Sequence, residues 1–468
     1  MVRIADFTVL PNPRQATGLP GPKSSRVMFI CLLLGFGCLL ALPIHGQQPV
    51  DRELAATRES ESLRVATVSL SGEDDLSEKI VGDKLPGQRP TVKAAGGGKL
   101  TLYGYGRLDL IFSDSRLSNT VVPFFVLPEG GPGSVPVNDG QFNTNVRLTR
   151  LGIDFLDTEP GWLGATLAGK VEIDFETLMN ITSESRAIPR IRLAYGEMRW
   201  EEFSLLFGQA RDVISPLNPM INDDSLMWNA GNLGDRRPML RGMWSPGLDA
   251  GKAGTGLVIA GAISSGGAID QQDLDGNGIK DGEDSGRPAL QGRLGYNAAS
   301  RIPQRPISLG IWGLLGFESI ETPIAGNDDF YTGGIGFDAI VPLTERWTLR
   351  GEGWWGQNLS DWRGGIAQGV NTVTGQEIHS RGGWVEVQRQ AHKAHVLALG
   401  LTADDPSDSD LAGNATDRSL NWTWYVGNRF HLAGGLTIYL NAEFWTTEYL
   451  AHNHGDAGRV KAVFIKRF

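Results

Sequence analysis

From Lys99 to the end of the chain, apolar and polar residues alternate with a period of two. In residues 100–112, LTLYGYGRLDLIF, the even positions are apolar or glycine, while the odd positions are mostly polar and include two charges. The alternation recurs at residues 165–176, 347–355, 420–430 and 436–447. Successive side chains of a β-strand point to opposite faces, so this pattern predicts strands that separate two different environments.

Sixteen stretches carry this signal, and the connections between them alternate in length. Connections after odd-numbered strands are mostly long, and those after even-numbered strands are mostly short. A soluble sandwich gives no reason for this, whereas an outer-membrane barrel has short periplasmic turns and long extracellular loops. We therefore predict an all-β fold, a transmembrane antiparallel β-barrel of sixteen strands with both termini periplasmic. The predicted strands are 99–112, 143–155, 164–175, 190–199, 203–210, 238–244, 255–264, 288–297, 307–318, 329–341, 347–357, 382–389, 394–403, 419–430, 436–447 and 459–468.

The first 46 residues are predicted to be a targeting segment. Basic residues precede an apolar run at 27–43 and small residues follow it, which is typical of a secretory signal peptide. A membrane anchor is the alternative, although the run is short for a spanning helix. Residues 47–98 are polar and mix Ser, Glu, Asp and Lys, so we expect a mobile periplasmic segment before the barrel at 99–468.

Three further features agree with an outer-membrane barrel. The chain ends in VKAVFIKRF, which resembles the C-terminal signature, here closed by Phe468, that the outer-membrane assembly machinery reads. The strand at 143–155 changes phase, which predicts a bulge near Thr149 and Arg150. A formal net charge of −10 argues against nucleic acid as a partner, and the predicted barrel makes the lipid bilayer the expected one.

Five segments resemble the DcaP-like trimeric outer-membrane porins: GYGRLD at 104–109, TRLGIDF at 149–155, GKVEIDF at 169–175, PRIRLAYGEM at 189–198 and LLFGQARDVISPLNP at 205–219. The resemblance is clearest over the first third of the barrel and is architectural after that. It implies a sixteen-stranded, water-filled barrel, a homotrimer, and a preference for small anions such as dicarboxylates.

Basic residues at inward positions, or in the long connection at 211–237, are the candidates for solute selectivity. That connection is the best candidate for folding inward and narrowing the lumen. Guanidinium groups in a constriction would concentrate anions and bind carboxylates through paired hydrogen bonds. The alternative is that the basic side chains form ordinary lumen salt bridges with Asp109, Glu172, Asp174 and Glu352. The candidates are Arg107, Arg147, Lys170, Arg190, Arg192, Arg211, Arg236, Arg237, Arg241, Arg293, Arg350 and Arg429.

The predicted extracellular loop at 265–287 contains DLDGNGIKDGED, which has the spacing of a calcium-binding loop. Oxygen-bearing side chains at alternate positions suit a hard cation, and a central glycine allows the sharp turn. Diffusion through a barrel requires no cofactor, so this Ca²⁺ would be structural, and an acidic surface turn is the alternative. The predicted ligands are Asp273, Asp275, Asn277, Asp281 and Asp284.

These features favour passive diffusion of small hydrophilic solutes across the outer membrane. The sequence lacks the G-x-S-x-G, H-E-x-x-H and P-loop motifs of common enzyme classes. Two other classes stay open. One is a non-conducting structural or adhesive barrel, and the other is an outer-membrane hydrolase that uses the His pairs at 392/395 or 452/454. An open-channel conductance would separate a porin from both.

Overall fold

The structure is a computed structural model that describes residues 91–93, 98–130, 140–157, 159, 161–176, 186–221, 225–247, 255–414 and 416–468. The predicted signal peptide at 1–46 lies outside the described residues, as does the predicted periplasmic segment at 47–98 apart from 91–93 and 98. None of the helices in the described residues is long and apolar enough to cross a membrane.

Twenty strands form within the described residues, and all but two of them join one sheet. Helical segments are short: α1 is Asp281–Asp284, and 3₁₀ turns lie at Trp162–Gly164, Ser360–Trp362 and Ala433–Gly435. The strands are β1 Thr91–Lys93, β2 Lys99–Ser113, β3 Gln141–Asn145, β4 Arg150–Leu156, β5 Thr166–Asp174, β6 Arg190–Arg199, β7 Phe203–Arg211, β8 Arg236–Trp244, β9 Gly256–Ser264, β10 Ala289–Ala298, β11 Ile307–Ile324, β12 Asn327–Pro342, β13 Trp347–Gln357, β14 Val370–Asn371, β15 Gln376–Glu377, β16 His379–His392, β17 His395–Pro406, β18 Arg418–Leu432, β19 Leu436–Tyr449 and β20 Gly455–Arg467.

The sheet closes on itself because its first long strand pairs with its last. β2 and β20 are antiparallel, from Tyr105 opposite Arg467 to Ser113 opposite Arg459. β3 and β4 both pair with β2 and form two parts of one wall strand. The short strands β1, β14 and β15 do not extend along the wall. The described wall therefore has sixteen antiparallel strands, and the predicted barrel is confirmed.

The two faces of the wall differ as the alternation predicts. On β2, Leu108 is 40% exposed, whereas its neighbours Arg107 and Asp109 are 7% and 0% exposed. Polar and charged side chains therefore turn inward, and an apolar band on the outer face suits contact with hydrocarbon. Other strands expose large apolar side chains on the outer face in the same way, including Ile153, Val171, Phe207, Ile335 and Leu399.

The predicted bulge lies at the break between β3 and β4. Asp109 pairs with Asn145 and Tyr105 pairs with Arg150, so three intervening residues of β2 face four on the other strand. The extra residue reverses the phase of the alternation while the apolar side chains stay on the outer face. The bulge expected near Thr149 and Arg150 is therefore confirmed.

One connection differs from its prediction. The sequence suggests a loop at 319–328, but β11 and β12 continue through it and meet at Ala325 and Gly326. These two residues have positive φ angles of 50° and 93°, as a tight hairpin turn requires. In the described sheet, β10 pairs with β11 only as far as Leu315, and β13 pairs with β12 only from Gly333. The hairpin therefore projects past its neighbours at the end of the barrel that carries the long loops.

Replacing Leu108 by Arg tests the assignment of the two faces. L108R would place a charge against hydrocarbon near the middle of β2 and should lower the free energy of unfolding by about 2–4 kcal/mol. Urea unfolding in lipid vesicles, followed by Trp fluorescence, measures the change. V373R, at a loop position that is 58% exposed, is the control and should unfold like the parent. Unchanged stability of L108R would mean that this strand is assigned to the wrong face.

Candidate functional site

The connection between β7 and β8 folds into the barrel. Its described residues, 212–221 and 225–235, are all buried and are called the inward loop below. The Glu352 carboxylate on β13 accepts a hydrogen bond from the Leu217 backbone N–H at 2.7 Å and another from the Ser215 hydroxyl. Because β13 is not a neighbour of β7 or β8 in the sheet, the inward loop crosses the interior.

Three wall strands beyond β13 hold the next part of the inward loop. Glu386 on β16 accepts a hydrogen bond from the Met220 N–H at 2.7 Å, and the Asn441 side chain on β19 donates to the Ile221 carbonyl. At Gly427 on β18, a Cβ atom would lie 2.6 Å from the Met220 carbonyl oxygen, so only glycine allows this approach. Sequence analysis missed these anchors, because nothing in the local pattern links them to a loop about 200 residues away in the chain.

The inward face of β2, β4, β5, β6 and β20, called the charged wall below, carries closely spaced acids and bases. Arg107 donates two hydrogen bonds to Asp109, of 2.6 and 2.8 Å, and the Lys461 ammonium lies 3.2 Å from the same carboxylate. Among the buried and half-buried side chains of the described charged wall, nine Arg or Lys residues stand against five Asp or Glu residues. This leaves an excess of four positive charges on these five strands, of which Arg459 also lies 3.6 Å from Glu443 on the neighbouring strand β19.

Most of the predicted selectivity residues lie inside the barrel and are paired with acids. Such pairing is what the salt-bridge alternative predicts, and each acid reduces the charge that a passing solute meets. Their role in selectivity therefore stays a prediction. Besides Arg107, the pairs are Arg147–Glu176 at 3.3 Å, Lys170–Asp154 at 2.9 Å, Arg190–Asp174 at 2.8 Å, Arg192–Glu172 at 3.0 Å, Arg293–Asp338 at 2.7 Å and Arg350–Glu386 at 3.9 Å.

Arg236 and Arg237 follow the inward loop directly. Arg236 is 8% exposed and lies 3.4 Å from Asp235. Arg237 is 0% exposed, and its guanidinium binds Asp212 at 2.8 Å and Asp361 at 2.7 Å. A guanidinium without exposed surface does not meet solute, so the placement of Arg237 departs from the predicted pore-lining position.

The remaining three candidates lie apart from one another. Arg211 ends β7 and is opposite Arg236 in the register. Arg241 on β8 and Arg429 on β18 are half-buried, and neither forms an ion pair with another residue in the part of the chain that the structure describes. The Arg429 guanidinium lies 5.2 Å from the centre of the Tyr439 ring.

Sequence analysis missed five basic residues of the charged wall: Arg150, Arg199, Arg459, Lys461 and Arg467. Arg459 and Lys461 on β20 are 1% and 0% exposed and point inward. The alternation contains the signal, because Arg459 and Lys461 alternate with the apolar Val460 and Ala462.

The calcium-type loop lies against the projecting β11–β12 hairpin. The Asn277 backbone N–H donates to the Asp273 carboxylate at 3.1 Å. Asp275 accepts hydrogen bonds from the backbone N–H groups of Glu321 at 2.6 Å and Thr322 at 3.1 Å. One predicted metal ligand therefore also joins the loop to β11.

The other predicted calcium ligands form hydrogen bonds within the loop. Asp281 is 1% exposed and accepts a hydrogen bond from the Leu274 N–H at 3.0 Å. The Asn277 side-chain amide donates to Asp284 at 2.7 Å. Within the described ranges, no group of three or more His, Cys, Asp or Glu side chains is arranged to hold a metal ion. Calcium binding at this loop stays a prediction.

Comparison with known proteins gives matches only among solved structures, since no family model and no curated protein matches the chain. The outer-membrane channel DcaP of Acinetobacter baumannii matches with a TM-score of 0.64 and 17% identity, over 81% of this chain and 99% of that one. The anion-selective porin from Comamonas acidovorans matches with a TM-score of 0.51 and 11% identity, over 79% and 100%. Salmonella typhi OmpF, in complex with daunomycin, matches with a TM-score of 0.51 and 12% identity, over 80% and 100%.

These likenesses define the class of the protein. The barrel is closed, has sixteen strands and an apolar outer band, and shares its fold with these structures. It is therefore an outer-membrane β-barrel, with short periplasmic turns and long extracellular loops. More particularly, it has the porin fold, and the resemblance to DcaP-like porins that the sequence indicated is confirmed at the level of the fold.

Calcium binding can be tested directly on the loop at 265–287. We expect titration calorimetry of the protein in detergent to detect Ca²⁺ binding, because the motif presents hard oxygen ligands. D273N removes the first ligand and should weaken this binding by about tenfold or more. D408N, in a different extracellular loop, is the matched control and should bind like the parent. If the parent binds no Ca²⁺ at millimolar concentration, the acidic surface turn is the correct interpretation.

Proposed function

We propose that this protein is a porin through which small hydrophilic solutes diffuse passively across the outer membrane. The observation that carries the proposal is the inward loop, which crosses a closed barrel that also contains the charged wall. A barrel narrowed in this way makes solutes pass close to fixed charges, which then bias what passes. Two of the solved structures above support the proposal, since one is described as an outer-membrane channel and the other as an anion-selective porin.

We infer that the channel favours small anions such as dicarboxylates. The excess of positive charge on the charged wall would raise the local concentration of anions. The half-buried guanidinium groups of Arg190, Arg199 and Arg467 are the ones that could bind carboxylates through paired hydrogen bonds. The acids interspersed there would keep any one site from holding a solute tightly, which conduction requires. The similar barrel from Comamonas acidovorans is named anion-selective, and this supports the inference.

We further propose a homotrimer whose insertion depends on the C-terminal strand. The wall is low on one side, since β4–β10 have 7–10 residues, whereas β11–β13 and β16–β20 have 11–18. A low apolar sector suits contact with neighbouring copies. At the seam, the Phe468 N–H donates to the Gly104 carbonyl at 3.2 Å, so the residue that the assembly machinery would read also completes closure.

Ion selectivity tests the proposed function. We expect single-channel recordings in a planar bilayer under a salt gradient to show open channels with a reversal potential that indicates anion preference. R192Q should lower the anion-to-cation permeability ratio, because it leaves Glu172 and Asp174 without this guanidinium. D154N should raise the ratio, because it removes the acid that pairs with Lys170.

The outcomes of that experiment separate the classes. Open channels that prefer cations would keep the porin and reject dicarboxylates as the solute class. A folded barrel without conductance would contradict the proposed function and favour a structural, adhesive or hydrolytic barrel. R381Q is the control for charge, because Arg381 has an exposed side chain paired with Asp405.

The oligomeric state can be measured on the same preparation. We expect sedimentation in detergent to give three times the mass of one chain, and unheated samples to migrate as a single large species in SDS gels. Heating should convert this species to the unfolded monomer. A mass of one chain at all concentrations would contradict the homotrimer and leave the diffusion function untouched.

A further inference from the structure

We propose that Arg237 is a positioning residue for the channel: it fixes three extracellular loops in one arrangement and so holds the inward loop in place. The inference rests on the proposed porin function, but it gives Arg237 a role that acts through other residues. No contact between Arg237 and solute is involved, because the side chain is fully buried.

Arg237 uses each nitrogen of its guanidinium group. Nε donates to Asp212 Oδ1 at 2.8 Å, and Nη1 donates to Asp361 Oδ2 at 2.7 Å and to the Ser265 carbonyl at 3.3 Å. Nη2 donates to the Asp361 carbonyl at 2.8 Å. The guanidinium carbon lies 3.5 Å from the centre of the Trp362 ring. The cation is thus held by two carboxylates, two carbonyl groups and an aromatic face.

The acceptors belong to three different connections. Asp212 begins the inward loop, Ser265 begins the loop at 265–288, and Asp361 lies in the loop at 358–378. These loops are far apart in the sequence, so their meeting at one side chain fixes their relative positions. Arg237 itself belongs to β8, which is part of the rigid wall.

The two carboxylates that bind Arg237 also accept hydrogen bonds from the backbone of the loops. Asp212 Oδ2 accepts a hydrogen bond from the Asp235 N–H at 2.9 Å, so the first and last residues of the inward loop are joined. Asp361 Oδ1 accepts one from the Ile269 N–H at 2.7 Å, which holds the loop at 265–288. Loss of Arg237 would remove the cation that Asp212 and Asp361 share, and would leave Asp212 Oδ1 with the hydrogen bond from Gln291 Nε2 at 2.9 Å.

An apolar cluster explains why the loops would shift rather than unfold without Arg237. Ile214 and Leu233 of the inward loop pack with Leu359 and Trp362 of the loop at 358–378. Apolar contacts are not directional, so they keep the loops together while allowing them to slide. The hydrogen bonds to Arg237 select one arrangement from several that the apolar contacts would allow. This division of roles requires the planar fork of Arg, which Lys does not have.

Two substitutions at Arg237 separate positioning from charge. We expect R237K and R237Q both to raise the frequency of transitions between conductance levels by about tenfold or more. In both variants the buried carboxylates of Asp212 and Asp361 lose the guanidinium group that bridges them. R237K should keep the ion preference of the parent. If R237K instead behaves like the parent while R237Q shifts the reversal potential in a quiet channel, Arg237 acts through its charge and the inference is wrong.

A second variant covers the case in which substitutions at Arg237 prevent folding. D361N keeps Arg237 and the shape of its partner but removes one charge, and it should produce the same fluctuations. R381Q, which alters an exposed guanidinium paired with Asp405, should stay quiet. The heat-dependent gel shift confirms that each variant forms a barrel. A quiet D361N channel would overturn the inference.

Hydrogen exchange supplies a readout that does not depend on conduction. Protection of the Asp235 and Ile269 amides should fall by about tenfold or more in D361N or R237K relative to the parent, because both amides donate to partners of Arg237. Unchanged protection of both amides would overturn the inference. A parent protein that does not conduct, but shows this loss of protection in the variants, would defeat the porin function and leave the loop arrangement supported.

Discussion

Backbone hydrogen bonding around the wall is the constraint on which the rest of the structure depends. Hydrocarbon offers neither donors nor acceptors, so each strand within it pairs on both edges, and β2 with β20 supplies the last pairing. Closure then commits every second side chain to the interior. Buried carboxylates, guanidinium groups and the inward loop can satisfy one another there, because the same closure keeps them out of lipid.

The wall could be predicted from the sequence because each strand meets lipid on one face and polar surroundings on the other. β6 and β13 begin and end at the predicted residues, and the bulge between β3 and β4 was visible as a change of phase. The prediction failed where a strand does not have lipid on one face and polar surroundings on the other. The tip of the β11–β12 hairpin extends beyond its neighbouring strands, so its residues do not alternate and were read as a loop at 319–328.

The site could be predicted only in part. The face of the wall to which a side chain points follows from the local alternation, whereas its ion-pair partners come from distant parts of the chain. Alternation correctly turned Arg107 and Arg192 inward, and it could have done the same for Lys461. It could not foresee that Arg237 would lie between Asp212 and Asp361, which are 25 and 124 residues away in the chain. Ion pairs of this kind depend on how loops fold back into the barrel, and no periodic pattern records that.

The projecting β11–β12 hairpin affects how the protein can associate with other barrels in the same membrane. Beyond Leu315 and Gly333 no wall strand of the described sheet pairs with its edges, and such edges are templates on which a strand from another protein can add. Asp275 occupies two N–H groups of one edge, and Glu377 accepts the Tyr331 N–H of the other at 2.9 Å. Negative side chains placed there make the hairpin a poor seed for aggregation.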